Sequence, residues 1–134
     1  MERVKLHNNN LNSISIYGLQ GLGKLEIISI QSNEIKTINL HSFANLPCLN
    51  KVELSSNEIQ QVENKGRDGN LFSNLTDIDL SRNRITHLMA DTFIQLEHLV
   101  QLNLSENELT SIHASAFKGK STQLRPEVLT SYLS

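Results

Sequence analysis

The stretch Val52-Glu53-Leu54-Ser55-Ser56-Asn57-Glu58-Ile59-Gln60-Gln61-Val62 decides how the whole chain folds. Val52 and Leu54 alternate with polar neighbours, the period of two that marks a strand with one buried face. Asn57 follows at once, then Ile59 and Val62. The same frame recurs as Val4-x-Leu6-x-x-Asn9-x-Leu11-x-x-Ile14 and Ile28-x-Ile30-x-x-Asn33-x-Ile35-x-x-Ile38. It returns twice more, as Ile78-x-Leu80-x-x-Asn83-x-Ile85-x-x-Leu88 and Leu102-x-Leu104-x-x-Asn107-x-Leu109-x-x-Ile112. The five asparagines stand 24, 24, 26 and 24 residues apart. A fixed period of this size predicts a solenoid of stacked coils, because one coil cannot bury its apolar edge alone.

Each coil is expected to lay one short strand beside the next in a parallel sheet, at the ordinary spacing of ~4.8 Å. The Asn comes where the chain leaves the strand and turns inward. Its amide can satisfy backbone groups of the turn, on its own coil and on the next, so the five asparagines read as scaffold. A second apolar set lies on the return limb. Phe43, Phe93, Phe117 and Leu19 share one slot, and Leu22, Leu46 and Leu96 share another, three residues on. Stacked as a spine, such side chains contribute about 1.5–3 kcal/mol each when fully buried.

The third coil is two residues longer than its neighbours between Val62 and Leu75. Phe72 falls in the slot of Leu46, and Gly69 stands where Phe43 would be, so the segment from Glu63 to Phe72 is expected to bulge as a loop. A tolerated insertion and a binding loop are both open readings at this point.

Composition removes several classes of function. The net charge of −2 gives no global field toward nucleic acid or an anionic membrane. No apolar run approaches the roughly 18 residues of a membrane span. The opening Met1-Glu2-Arg3-Val4-Lys5 is charged and already carries repeat residues, unlike a secretory signal. Only six residues are aromatic, so no ring-lined pocket is expected. Cys48 is the single cysteine, which rules out an internal disulfide and reads as a small filler at a coil corner. His7, His41, His87, His98 and His113 occupy five different repeat positions, so they form no metal-ligand column and are expected on the surface. No phosphate loop, nucleophile elbow or paired acid and base is present. The expectation is a chain without catalysis, cofactor or metal.

The 24-residue pattern Leu-x-x-Leu-x-Leu-x-x-Asn-x-Leu-x-x-Leu-x-x-x-x-Phe-x-x-Leu resembles the leucine-rich repeat. It is most similar to the typical class of cell-surface proteins such as Toll-like receptors and chaoptin-like and Slit-like proteins. The resemblance covers residues 1–119 in five coils, leaving 120–134 as an irregular tail. It implies an α/β, right-handed, curved solenoid with a parallel sheet on the concave side and irregular or short helical turns on the convex side. It also implies a protein ligand on the concave face, and no membrane insertion by this segment. The chain departs from the pattern in three ways. Cysteine-rich caps are lacking at both ends, Met1 occupies the first leucine slot, and Lys120 stands where Leu46 and Leu96 stood. A fragment of a longer cell-surface or secreted receptor or adhesion protein is therefore expected, open to self-association through its uncapped ends. The alternative is an intracellular scaffold or regulatory subunit docking a partner enzyme.

Residues alternating with the buried ones should line the concave face. One column reads Lys5, Ser29, Glu53, Asp79, Asn103, a second Arg3, Ile27, Lys51, Asp77, Gln101, and a third His7, Gln31, Ser55, Ser81, Ser105. The candidate partner-binding residues are Lys5, His7, Lys51, Glu53, Asp77, Asp79, Arg82, Gln101 and Asn103. Their centre is acidic, suited to a basic patch on a partner. Pairing of these acids with Lys51, Arg82 or solvent is the competing reading. Three carboxylates fall short of the about six to eight oxygens that calcium takes. Two glycosylation sequons, Asn74-Leu75-Thr76 and Asn103-Leu104-Ser105, are consistent with an extracellular parent.

Overall fold

The computed structural model describes residues 2–13, 19, 21–65 and 74–117. Five short strands lie side by side in one parallel sheet: β1 (Glu2–Lys5), β2 (Leu25–Ser29), β4 (Lys51–Glu53), β6 (Asp77–Asp79) and β8 (Gln101–Asn103), in that order. The register brings Val4, Ile28, Val52, Ile78 and Leu102 abreast, one from each coil. Strand order therefore follows coil order, as the Asn frames require.

Beyond these strands the second to fifth coils pass through an outer limb. Here β3 (Thr37–Asn39) pairs in parallel with β5 (Gln61–Glu63), and β7 (His87–Leu88) with β9 (Ser111–Ile112). The outer limb was expected to hold only irregular or short helical turns. One short 3-10 turn, Leu40–Phe43, does follow β3, with Asn39 Oδ1 accepting from the His41 N–H at 3.1 Å.

The core runs through the coils as aliphatic layers. Ile35, Leu54, Ile59, Leu80 and Ile85 are fully buried, and Phe43 and Phe93 carry the spine. The rings of Phe93 and Phe117 stack at 5.6 Å between centroids. Leu19, Leu46 and Leu96 are buried as expected, but Leu22 is 38% exposed. Leu6, also in the first coil, is exposed to the same degree. Ile14, Gly69, Phe72 and the 120–134 tail fall outside the described residues.

The asparagine ladder is made, with a direction the sequence did not convey. Asn57 donates to the Leu54 and Ser55 carbonyls of its own coil at 3.0 and 3.3 Å, and to Ile30 of the preceding coil at 3.1 Å. Its Oδ1 accepts from Ile35 N–H, also one coil back, at 3.2 Å. Asn33, Asn83 and Asn107 repeat these bonds. The amide thus ties each coil to the preceding coil, where the expectation was the following one. The two N–H groups of each Nδ2 are shared among three carbonyls, and each Oδ1 accepts at least one N–H (Leu11 and Asn9 both donate to Asn33), so Asn33, Asn57 and Asn83 are buried without an unsatisfied amide.

The residue before each Asn takes a left-handed backbone: Asn8, Ser32, Ser56, Arg82 and Glu106 have φ between 55° and 58°. None is glycine, so every coil carries a local conformational cost that the ladder bonds offset.

Candidate interaction surface

Strand alternation turns one side chain of every pair away from the core, and the observed register lines these up across the sheet. Lys5, Ser29, Glu53, Asp79 and Asn103 form one row, and Arg3, Ile27, Lys51, Asp77 and Gln101 another. The two rows stand as the sequence columns predicted. His7, Gln31, Ser55, Ser81 and Ser105 continue the surface where the chain leaves the strands, their coils linked by bonds such as Ser32 N–H to Ser55 C=O at 3.1 Å.

The carboxylates of this surface are held in different ways. Glu53 accepts from Ser29 Oγ at 3.1 Å and from the Gln31 amide, and pairs with Lys51 at 3.5 Å. Asp79 accepts from the backbone N–H and hydroxyl of Ser81 at 2.9 and 2.6 Å. Asp77 accepts from Thr76 Oγ1 at 2.8 Å. Among the described residues neither Asp77 nor Asp79 has a basic side chain in ion-pair contact, so both keep their charge facing outward. Arg82 does not compensate them: it sits in the left-handed turn and pairs with Glu106 at 2.8 Å. Lys5, His7, Gln101 and Asn103 are exposed. Asn103 Oδ1 accepts from the Ser105 N–H and hydroxyl at 3.0 and 2.7 Å.

Two residue roles expected from sequence are corrected. Cys48 is exposed in a turn, so it fills no core space. His41 is 1% exposed, because the 3-10 turn that carries it is packed into the body of the solenoid. The other four histidines are exposed. Among the described residues no three His, Cys, Asp or Glu side chains are grouped to hold a metal ion.

A second concavity lies on the outer limb between the third and fourth coils. It encloses about 1090 Å³ and is lined by Gln61, Val62, Thr86, His87 and Met89 among others. It coincides with a gap in hydrogen bonding among the described residues. At the next step Thr110 and Ser111 N–H both donate to Thr86 C=O, and His113 N–H to Leu88 C=O. Among the described residues the equivalent donors Thr86, His87 and Met89 make no such bonds to Gln60 and Val62. Among the described residues hydrogen bonds flank the gap at either end, Arg84 N–H to Ile59 C=O at 2.8 Å and Asn64 Nδ2 to Thr92 C=O at 2.7 Å. The coil length was a signal for this place, although the gap itself has no side-chain signature.

The family model described as "Leucine rich repeat" matches residues 1–59 and 73–122, more than half of the chain. The chain belongs to the leucine-rich repeat family. The interval between the two matched segments falls in the longer third coil. No curated relative matches. Among solved structures, the chain is similar to one titled "Crystal structure of LRIM1/APL1C complex", with 18% identity and a TM-score of 0.45. That match covers 93% of this chain and 29% of the other, so this leucine-rich repeat array spans under a third of that protein's length. Leucine-rich repeats are generally protein-interaction modules, and the open, ordered inner sheet described above has the form of one. Among the described residues no helix is long and apolar enough to cross a membrane.

Proposed function

We propose that the chain is a non-catalytic protein-binding module that engages its partner on the inner face of the sheet. The observation that carries this reading is the pair Asp77 and Asp79, adjacent on one preformed strand and without a basic counterpart among the described residues. A sheet already ordered by the asparagine ladder loses little freedom on binding. Two uncompensated carboxylates supply charge that a basic partner surface can meet.

The test places a photo-crosslinking residue at Ser55 or Gln101 on the inner face, and at Ile94 on the outer limb as control. Protein adducts are expected from the inner positions. Asp77→Lys/Asp79→Lys should lower their yield about tenfold, equivalent to 1.4 kcal/mol, with the circular dichroism unchanged. Adducts formed equally from Ile94, or unaffected by the charge reversal, would sink the assignment.

We further propose that the parent protein is extracellular or displayed at the cell surface, a reading supported by the exposure of both sequon asparagines, Asn74 and Asn103. One observation favours the intracellular scaffold instead: the exposed thiol of Cys48 suits a reducing compartment. Secretory expression decides between them. A glycosidase-sensitive mass shift lost in Asn74→Gln or Asn103→Gln is expected, and its absence from both sequons favours the intracellular reading.

A further inference from the structure

The inner face carries more than an acidic centre: its charge is arranged as two opposite poles. In the first coil Arg3 and Lys5 are exposed on β1, and among the described residues neither has a carboxylate in ion-pair contact. Three strands further on, the same two rows hold Asp77 and Asp79. At ~4.8 Å per strand the poles stand ~14 Å apart. The coils between them are neutral. Ile27 and Ser29 are buried, and Lys51 and Glu53 compensate each other at 3.5 Å. Beyond the acidic pole, Gln101 and Asn103 carry no charge. Read coil by coil, the face is positive, neutral, neutral, negative, neutral.

A partner of uniform charge would be attracted at one pole and repelled at the other. A twofold axis parallel to the strands, lying above the inner face midway between β2 and β4, instead exchanges the first coil with the fourth and the second with the third, and sets Arg3 opposite Asp77 and Lys5 opposite Asp79. Under that operation every charge of one pole meets its opposite, twice over, as an isologous interface demands. We propose that the inner face is self-complementary and docks a second copy of this chain, with the first coil of each copy against the fourth of the other. The inference rests on the reading of the inner face as the binding surface and names an occupant for it. Because the contacts are polar and their surroundings wet, the association is weak and strongly salt-dependent.

Sedimentation equilibrium tests this with two variants, Arg3→Glu/Lys5→Glu and Asp77→Lys/Asp79→Lys. The first has two negative poles and the second two positive ones. Each alone should remain monomeric where the unaltered chain dimerises, and the equimolar mixture should recover dimers, since each pole then meets its opposite. The dimer should weaken about tenfold or more as salt rises from ~0.05 to ~0.5 M and the screening length shortens. Arg84→Glu, on the outer limb, should change nothing, and circular dichroism confirms that each variant is folded. A monomeric unaltered chain at low salt, variants that dimerise alone, or a mixture that stays monomeric would each overturn self-docking. If inner-face crosslinking to other proteins persists in that case, the protein-binding reading stands and only its occupant is wrong.

Discussion

The inner and outer limbs of this solenoid receive the same coils, yet only the inner one is continuous. All four steps of the inner sheet are paired, and the step from β4 to β6 keeps Lys51, Val52 and Glu53 opposite Asp77, Ile78 and Asp79. On the outer limb β5 and β7 are unpaired at that very step, where the coil is two residues longer. The longer coil keeps its inner pairing and lacks its outer one. The inner register is fixed by buried Leu54 and Leu80 and by Asn83, whose amide bonds reach Leu54 C=O and Ile59 N–H. On the outer limb, among the described residues, the matching side-chain bridge is the single bond from Asn64 to Thr92 at the far end of the gap. The step at which the coil is longer is thus the one whose outer strands β5 and β7 are unpaired.

The comparison can be broken most directly by removing one inner clamp. Asn57→Ala leaves buried amide and carbonyl groups of two coils unmatched, and should cost about 3 kcal/mol or more. Urea denaturation reads it as a lower midpoint at unchanged slope; a loss below about 1 kcal/mol would show that the inner ladder is no stronger than the outer limb. On the intact outer step, Asn39 bonds the backbone N–H and C=O of Lys65 and caps the following turn. Asn39→Ala should cost about 1–2 kcal/mol by the same measurement. At the open step, Asn64→Ala removes a single bridge to Thr92, and should cost about 1 kcal/mol or less. Hydrogen exchange sharpens the contrast without mutation. The amides of Thr86, His87 and Met89 should exchange at least about tenfold faster than that of Gln60, which donates to Lys36 C=O. Equal protection would mean that the outer ladder is closed in solution.

Much of the inner limb was legible because its determinants are side chains. Val and Leu alternation, with one Asn per coil, fixes strand, turn and register together, and the rows holding Glu53, Asp77 and Asp79 follow from counting. The outer limb is governed by backbone bonds, which leave little trace in residue identity, so β3, β5, β7 and β9 went unread. The left-handed turn residue was hidden for a related reason. Asn8, Ser32, Ser56, Arg82 and Glu106 include no glycine to announce it. Treating Arg82 as a turn residue would also have predicted its pairing with Glu106, the occupant of the same slot one coil on, and removed it from the acidic patch. Burial misled where the neighbour coil decides it: Leu22 lacks cover, while His41 is covered.

The backward reach of the ladder asparagines gives the array a time order. Among the described residues the turn amide of Ile35 is answered by Asn57, that of Ile59 by Asn83, and that of Ile85 by Asn107. A coil emerging from synthesis is thus finished by its successor. Interrupting the chain after one of these coils leaves its turn amide without the asparagine acceptor, whereas removing coils from the front strands a different set of donors, such as the Asn50, Glu58 and Gln60 N–H groups that bond Glu26, Ile35 and Lys36 C=O. The two ends of a shortened array are therefore unfinished in different ways, the last coil at its turn amide and the first at the donors that faced the lost coil.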